Sequence, residues 1–217
     1  MRRPTATLAK ALVSAMVTVL AAFLVLAGLA TPAAADPPTP PGEAQARDEL
    51  AALQVADEGS MDGYDRDRFP HWNTVEGSCD TREWVLRRDG TDVQTGSDCY
   101  PTSGTWFSAY DGVTLSQASD VDIDHVVPLA EAWRSGASGW TDDRRSDFAN
   151  DLDVAQLWAV NDDINSEKSD SDPDQWMPPR TEVRCLYARS WIHVKSVWGL
   201  NLEASEKSAL TSMLDAC

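Results

Sequence analysis

Apolar side chains recur at three- and four-residue steps through Val183, Leu186, Tyr187, Trp191, Val194 and Trp198, which predicts an amphipathic helix closed by Gly199. A last helix over 204–216 would turn Leu210, Met213 and Leu214 to one side. Upstream, 121–127 reads as a buried strand that Pro128 stops, with a short helix beginning at Leu129. A helix over 142–150 follows, capped by Thr141 or Asp142, and the apolar run 155–160 supplies a partner strand. Asn161 or Asp162 then caps a helix to about Lys168, which Pro173 keeps short. Near the start, 43–56 holds good helix formers with Leu50, Leu53 and Val55 apolar, ended by Gly59. The stretch 64–110 is rich in Gly, Asp, Thr and aromatics and predicts loops and short extended runs, such as 83–87 and 105–110. The pattern predicts an α+β fold, a small and mostly helical domain with a few short strands.

The segment 1–35 reads differently. Arg2, Arg3 and Lys10 precede an apolar stretch from Ala11 to Leu29, and Ala33, Ala34 and Ala35 form a small-residue cleavage pattern. A secretory signal peptide over 1–35 is expected, then a flexible proline-rich leader over 36–42, then a single domain over 43–217. After signal cleavage no stable membrane association is expected, and the product would be a secreted monomer.

Charge narrows the possible partners. Of 18 basic and 35 acidic residues, the signal segment carries three basic and no acidic ones, so the remainder has a net charge of −20. A general basic coat for gripping nucleic acid is absent, and any such binding must rest on a local basic patch, a metal, or both. Four cysteines, Cys79, Cys99, Cys185 and Cys217, suggest two disulfides in an exported chain, with three connectivities open. Pairing neighbours would close separations of 20 and 32 residues, each contributing roughly 3 kcal/mol in the loop-entropy picture.

The string Asp122-Ile123-Asp124-His125-Val126-Val127-Pro128-Leu129 is answered by Asn165-Ser166-Glu167-Lys168-Ser169-Asp170. An imidazole beside a carboxylate, with a downstream amide on a helix, supplies the parts to hold a divalent cation and activate a water against a phosphodiester. Adjacent strand residues point to opposite faces, so Asp124 and His125 share one site only where the strand bends or ends. Asn161, Asn165 and Lys168 fall on one helical face.

These strings, with Asn150 in Phe148-Ala149-Asn150-Asp151-Leu152, resemble the His, Asn and Asn of HNH endonucleases and their ββα-metal finger. They are similar to the HNH domain of CRISPR effector nucleases. The wider chain, through Gly77-x-Cys79-Asp80-Thr81-Arg82, Arg88-Asp89 and the stretch after Trp133, resembles secreted bacterial HNH endonuclease family proteins related to the C-terminal domain of GmrSD-type restriction enzymes. The resemblance implies an HNH finger embedded in the α+β domain, and phosphodiester hydrolysis leaving a 5′-phosphate, with DNA favoured over RNA. It implies Asp124 and Asn165 as ligands of Mg²⁺, Mn²⁺ or another divalent cation. It makes His125 the general base and Asn150 the residue that holds the His-bearing loop through backbone hydrogen bonds. A histidine of near-neutral pKa would suit that task. The Cys-x-x-Cys zinc knuckles of many HNH domains are missing here, and disulfides would replace them.

Lys168 has two readings, a phosphate contact or a surface pair with Asp172, and the surface pair is expected. Asp122 is a partner of the site or a solvated acid. Arg82 is expected to be structural, in an ion pair with Asp80 or Asp89, and His71 and His193 likewise structural. Most of the nine tryptophans are expected in the core. Two rival functions stand: a carbohydrate-active hydrolase, for which carboxylates and tryptophans are the ingredients, and a non-catalytic secreted binding domain.

Overall fold

Asp80 and Glu83 settle the most ambiguous stretch of the chain. In the computed structural model, which describes residues 37–217, the Asp80 carboxylate accepts from the Glu83 N–H at 2.9 Å and the Glu83 carboxylate from the Asp80 N–H at 3.0 Å. This reciprocal cap starts a helix where an extended run over 83–87 is expected from composition. The expected signal peptide lies outside the described residues.

In chain order the elements are α1 (Glu43–Ala52), β1 (Thr74–Glu76), β2 (Cys79–Asp80), α2 (Thr81–Asp89), β3 (Gly90–Thr95), β4 (Pro101–Phe107) and β5 (Thr114–Leu115). Then follow β6 (Val121–His125), α3 (Leu129–Arg134), α4 (Asp142–Ala149), β7 (Leu157–Asn161), α5 (Asp162–Lys168), α6 (Arg184–Trp198) and α7 (Ala204–Asp215). The strands pair antiparallel as β1-β2, β3-β4-β5 and β6-β7. The α+β expectation holds, and neighbouring cysteines pair, Cys79 with Cys99 and Cys185 with Cys217.

Two apolar clusters set the architecture. The larger gathers the inner face of α6 (Tyr187, Ala188, Trp191, Val194) with Leu50 of α1, Trp133 of α3, Phe148 of α4 and Leu210 of α7. The smaller seats Val85 and Leu86 of α2 against Trp106 of β4 and against Val121, Ile123, Leu157 and Ala159 of β6 and β7. The β6-β7 pair is therefore buried along most of both strands: β7 reads as an apolar run from Leu157 to Val160, whereas β6 alternates Val121 and Ile123 with Asp122 and Asp124. Gly90, where α2 gives way to β3, allows this packing: a Cβ there would lie 2.6 Å from Trp106 Nε1 and 2.9 Å from the Leu86 carbonyl oxygen.

The strand β6 begins at Val121 as expected but ends at His125 rather than Val127. Beyond it the Gln156 side chain takes the place of a neighbouring strand, donating to the Val127 carbonyl at 2.8 Å and accepting from the Val127 N–H at 3.1 Å. Pro128 then opens α3. Asn161 caps α5, accepting from the Asp163 N–H at 3.3 Å, so α5 runs directly off β7 and packs on the β6-β7 pair. Gly199 closes α6 in the left-handed region at φ 67°. Over its described part the leader contacts α6: Arg189 donates to the carbonyls of Pro41 at 2.6 Å and Pro40 at 3.0 Å.

Candidate functional site

The end of β6 delivers two side chains to one place. Asp124 and His125 line a cavity of about 330 Å³ together with Asn165 of α5, Arg66, Tyr64 and the start of α3. Asp124 is buried and each of its oxygens accepts one hydrogen bond: Oδ1 from Lys168 Nζ at 2.8 Å and Oδ2 from the Tyr110 hydroxyl at 2.6 Å. Burial lifts its carboxyl above the ordinary range, against the opposing pull of Lys168 and Tyr110. Lys168 is wholly buried and also donates to the His125 carbonyl at 3.0 Å. The expected surface pair of Lys168 with Asp172 does not form, because α5 turns Lys168 inward onto Asp124.

His125 is held by a single bond that fixes its chemistry. Its Nε2 lies 2.9 Å from the Ala149 carbonyl, an acceptor, so Nε2 carries the hydrogen and Nδ1 the lone pair. Burial lowers its pKa to about 3, helped by the positive charges of Arg66 and Lys168 and by His71, and opposed by the Ala149 bond. The ring is therefore uncharged across the ordinary pH range and able to accept a proton at Nδ1, but as a weaker base than the near-neutral imidazole that would suit a general base best. Trp72 stacks on it with centroids 5.7 Å apart, and His71 approaches edge-on at 6.3 Å.

Asn165 donates its amide N–H to Asp122 Oδ2 at 3.1 Å, which orients the side chain and leaves its carbonyl oxygen for another partner. Asp122 is thus the partner of a site residue. Asn150 stands apart from this cavity. Its Oδ1 accepts from the Asn73 N–H at 2.9 Å and Thr81 Oγ1 at 2.8 Å, while its amide donates to the Pro70 and Ser146 carbonyls at 2.9 and 2.8 Å. The backbone it holds is Pro70–Asn73, which carries His71 and Trp72, rather than the end of β6. That corrects the loop assigned to it from sequence, although the Ala149 carbonyl that anchors His125 lies one residue away.

Tyr110, Trp72 and Arg66 are the neighbours that sequence reasoning missed, and none sits at a spacing that marks it. Arg82 is structural, but through the Ala118 and Val121 carbonyls at 3.2 and 2.9 Å rather than through an acid. His193 faces Glu49 at 3.2 Å.

The donor set suits a hard divalent cation. Asp124 and Asn165 present oxygens, and each Asp124 oxygen retains a lone pair beyond its hydrogen bond. Elsewhere, Glu58, Asp172 and Glu203 bring carboxylate oxygens within 4.8 Å of one another. Asp172 is 1 % exposed, and burial raises its pKa to about 8. A carboxyl that keeps its proton on folding stabilises fully below its unfolded pKa of about 4 and loses that contribution as pH rises, down to a plateau above about 8. Asp172→Asn is therefore expected to flatten the thermal midpoint between those limits relative to the unsubstituted protein. At pH 8 it should raise the midpoint by several degrees, since 1 kcal/mol moves a domain of this size by about 2–4 °C. Parallel midpoint curves for the two proteins would contradict this.

Fold and site together define a small α+β domain, braced by two disulfides, in which an antiparallel strand pair and the helix leaving it gather a carboxylate, an imidazole and an amide at one cavity. The chain belongs to the family of GmrSD restriction endonuclease C-terminal domains, which matches residues 81–213. It is similar to an "Uncharacterized secreted protein" of Arthroderma benhamiae, 54% identical over 201 residues that span 92% of this chain and 98% of the relative. That relative is fungal, so it lends no support to the bacterial part of the sequence-based expectation. No solved structure matches. Two disulfides fit an extracellular protein, and among the described residues no helix is long and apolar enough to cross a membrane.

Proposed function

We propose that this protein is a secreted, monomeric endonuclease that hydrolyses phosphodiester bonds, DNA in preference to RNA, with one divalent cation. The observation that carries the reading is the convergence of Asp124, His125 and Asn165 on one cavity, in a chain of a restriction-endonuclease domain family. In this reading β6, β7 and α5 are the ββα finger. Asp124 and Asn165 would hold Mg²⁺ or Mn²⁺, and the bound ion supplies Lewis-acid stabilisation of charge developing on the phosphate and the leaving oxygen. His125 takes the proton of the attacking water at Nδ1, its ring held by the Ala149 carbonyl. Asp122 orients Asn165, while Lys168 and Tyr110 hold the Asp124 carboxylate against the cavity wall. Asn150 acts at one remove, keeping Trp72 against the His125 ring.

Mature protein incubated with plasmid DNA is expected to nick and linearise it in Mg²⁺ or Mn²⁺, to stop in excess chelator, and to leave 5′-phosphate ends. Intact plasmid under all of these conditions would end the proposal.

A further inference from the structure

An acidic protein that handles a polyanion needs a cation at the right place, and nearly all of its cations are already committed. Of the fifteen lysines and arginines among the described residues, thirteen have their charged groups on carboxylates, carbonyls, sulfur or aromatic faces. Only Arg66 and Lys207 have no such side-chain partner. Lys207 lies on α7 and is absent from the cavity lining, whereas Arg66 is exposed and lines the cavity with Asp124, His125 and Asn165.

The local structure presents Arg66 without neutralising it. It opens a single 3₁₀ turn, Arg66–Arg68, and the adjacent Asp65 spends its carboxylate on the Asp67 N–H at 3.0 Å. Tyr64, which also lines the cavity, meets Trp133 edge-on at 5.8 Å and Phe69 at a tilt at 6.4 Å. The turn is tied to α4 through Arg145, whose Nε donates to the Arg68 carbonyl at 2.9 Å. A free guanidinium on a braced turn beside the proposed reaction centre matches the non-bridging oxygens of one phosphate.

Resting on the nuclease reading, we propose that Arg66 is the phosphate anchor of the site and its principal electrostatic contact with the substrate backbone. One contact implies a shallow salt dependence, a slope of log affinity against log salt of about −0.7 to −0.9.

The test uses the full mature chain carrying His125→Ala, so that substrate survives, with a fluorescein-labelled DNA oligonucleotide, single-stranded and duplex, in Mg²⁺. Anisotropy gives affinity from about 50 to 200 mM NaCl. Adding Arg66→Ala is expected to weaken binding about tenfold and to remove about one unit of salt slope. Arg66→Lys should keep the slope and part of the affinity, and Lys207→Ala should change neither. Should His125→Ala fail to fold, the same comparison is made on the otherwise unsubstituted chain in chelator. Wild-type affinity and slope in the Arg66→Ala protein would overturn the anchor while leaving the nuclease intact. Absence of oligonucleotide binding by the parent together with uncut plasmid would remove both.

Discussion

His125→Ala is expected to lower plasmid cleavage by about 10²–10⁴-fold, the range set by losing a positioned general base, without losing the ability to bind Mn²⁺. The proposed mechanism assigns two jobs to different atoms of the cavity. In that mechanism proton removal rests on His125 Nδ1, whereas cation binding rests on oxygens of Asp124 and Asn165, which the substitution leaves in place. Asp124→Ala should therefore behave differently, losing calorimetric Mn²⁺ binding together with cleavage, and it would leave the buried Lys168 ammonium without its carboxylate. Removing the imidazole also frees the Ala149 carbonyl and one face of Trp72, so far-ultraviolet circular dichroism and the melting midpoint must accompany the assay. Folded His125→Ala protein that cuts at the rate of the unsubstituted chain would show that another group takes the proton. Mn²⁺ affinity lost in parallel with activity would show that His125 is a ligand and not the base.

The parts of this site that were readable in the sequence are those written as local spacing. The Asp124-His125 pair before Pro128, and Asn165 and Lys168 at one helical face, are fixed by chain geometry within a strand and a helix, and the structure places three of these four on one cavity. Where Lys168 points is another matter. An i,i+4 reading offers Asp172 as a partner, but the pairing is decided by α5 lying on β6, a contact across 44 residues. Tyr110 reaches Asp124 from a loop 14 residues upstream, and Arg66 reaches the cavity from a turn near the start of the domain. Neither approach leaves a periodic trace. The α2 segment shows the converse: the Gly, Asp, Thr and aromatic content of its surroundings suggests an extended run over 83–87, while a two-residue signal, Asp80 with Glu83, outweighs it. The His125 environment was unreadable for a physical reason, since a pKa of about 3 comes from burial by chain segments distant in sequence.

Lys195→Met is expected to destabilise the fold by about 3–5 kcal/mol, the effect of removing one partner from a buried ionic cluster. Lys195 is wholly buried in α6, and the three N–H groups of its ammonium are shared among four acceptors: Glu131 of α3 at 2.7 Å, Glu206 of α7 at 2.8 Å, Ser135 Oγ at 3.0 Å and the Asn201 carbonyl at 3.0 Å. Glu131 and Glu206 are both buried, so deleting the cation leaves Glu206 without a cationic partner and Glu131 with Arg134 at 3.2 Å as its remaining one. Glu206 already has its pKa raised by burial, against the pull of Lys195. A methionine fills the same volume, which isolates the charge from a cavity effect. Pairing it with Glu206→Gln should recover part of the loss, because one stranded charge disappears while an acceptor for Trp191 Nε1 remains. Urea unfolding of the single and double variants gives the two numbers. A loss below about 1 kcal/mol for Lys195→Met would mean that the cluster is worth no more than an exposed pair. The site would register the change as well. Pro128, Leu129 and Ala130 line the cavity and Glu131 follows them in α3, so the cluster that clamps Glu131 also braces the part of the cavity wall that α3 supplies. Lys195→Met protein assayed well below its melting midpoint should consequently lose more in KM than in kcat.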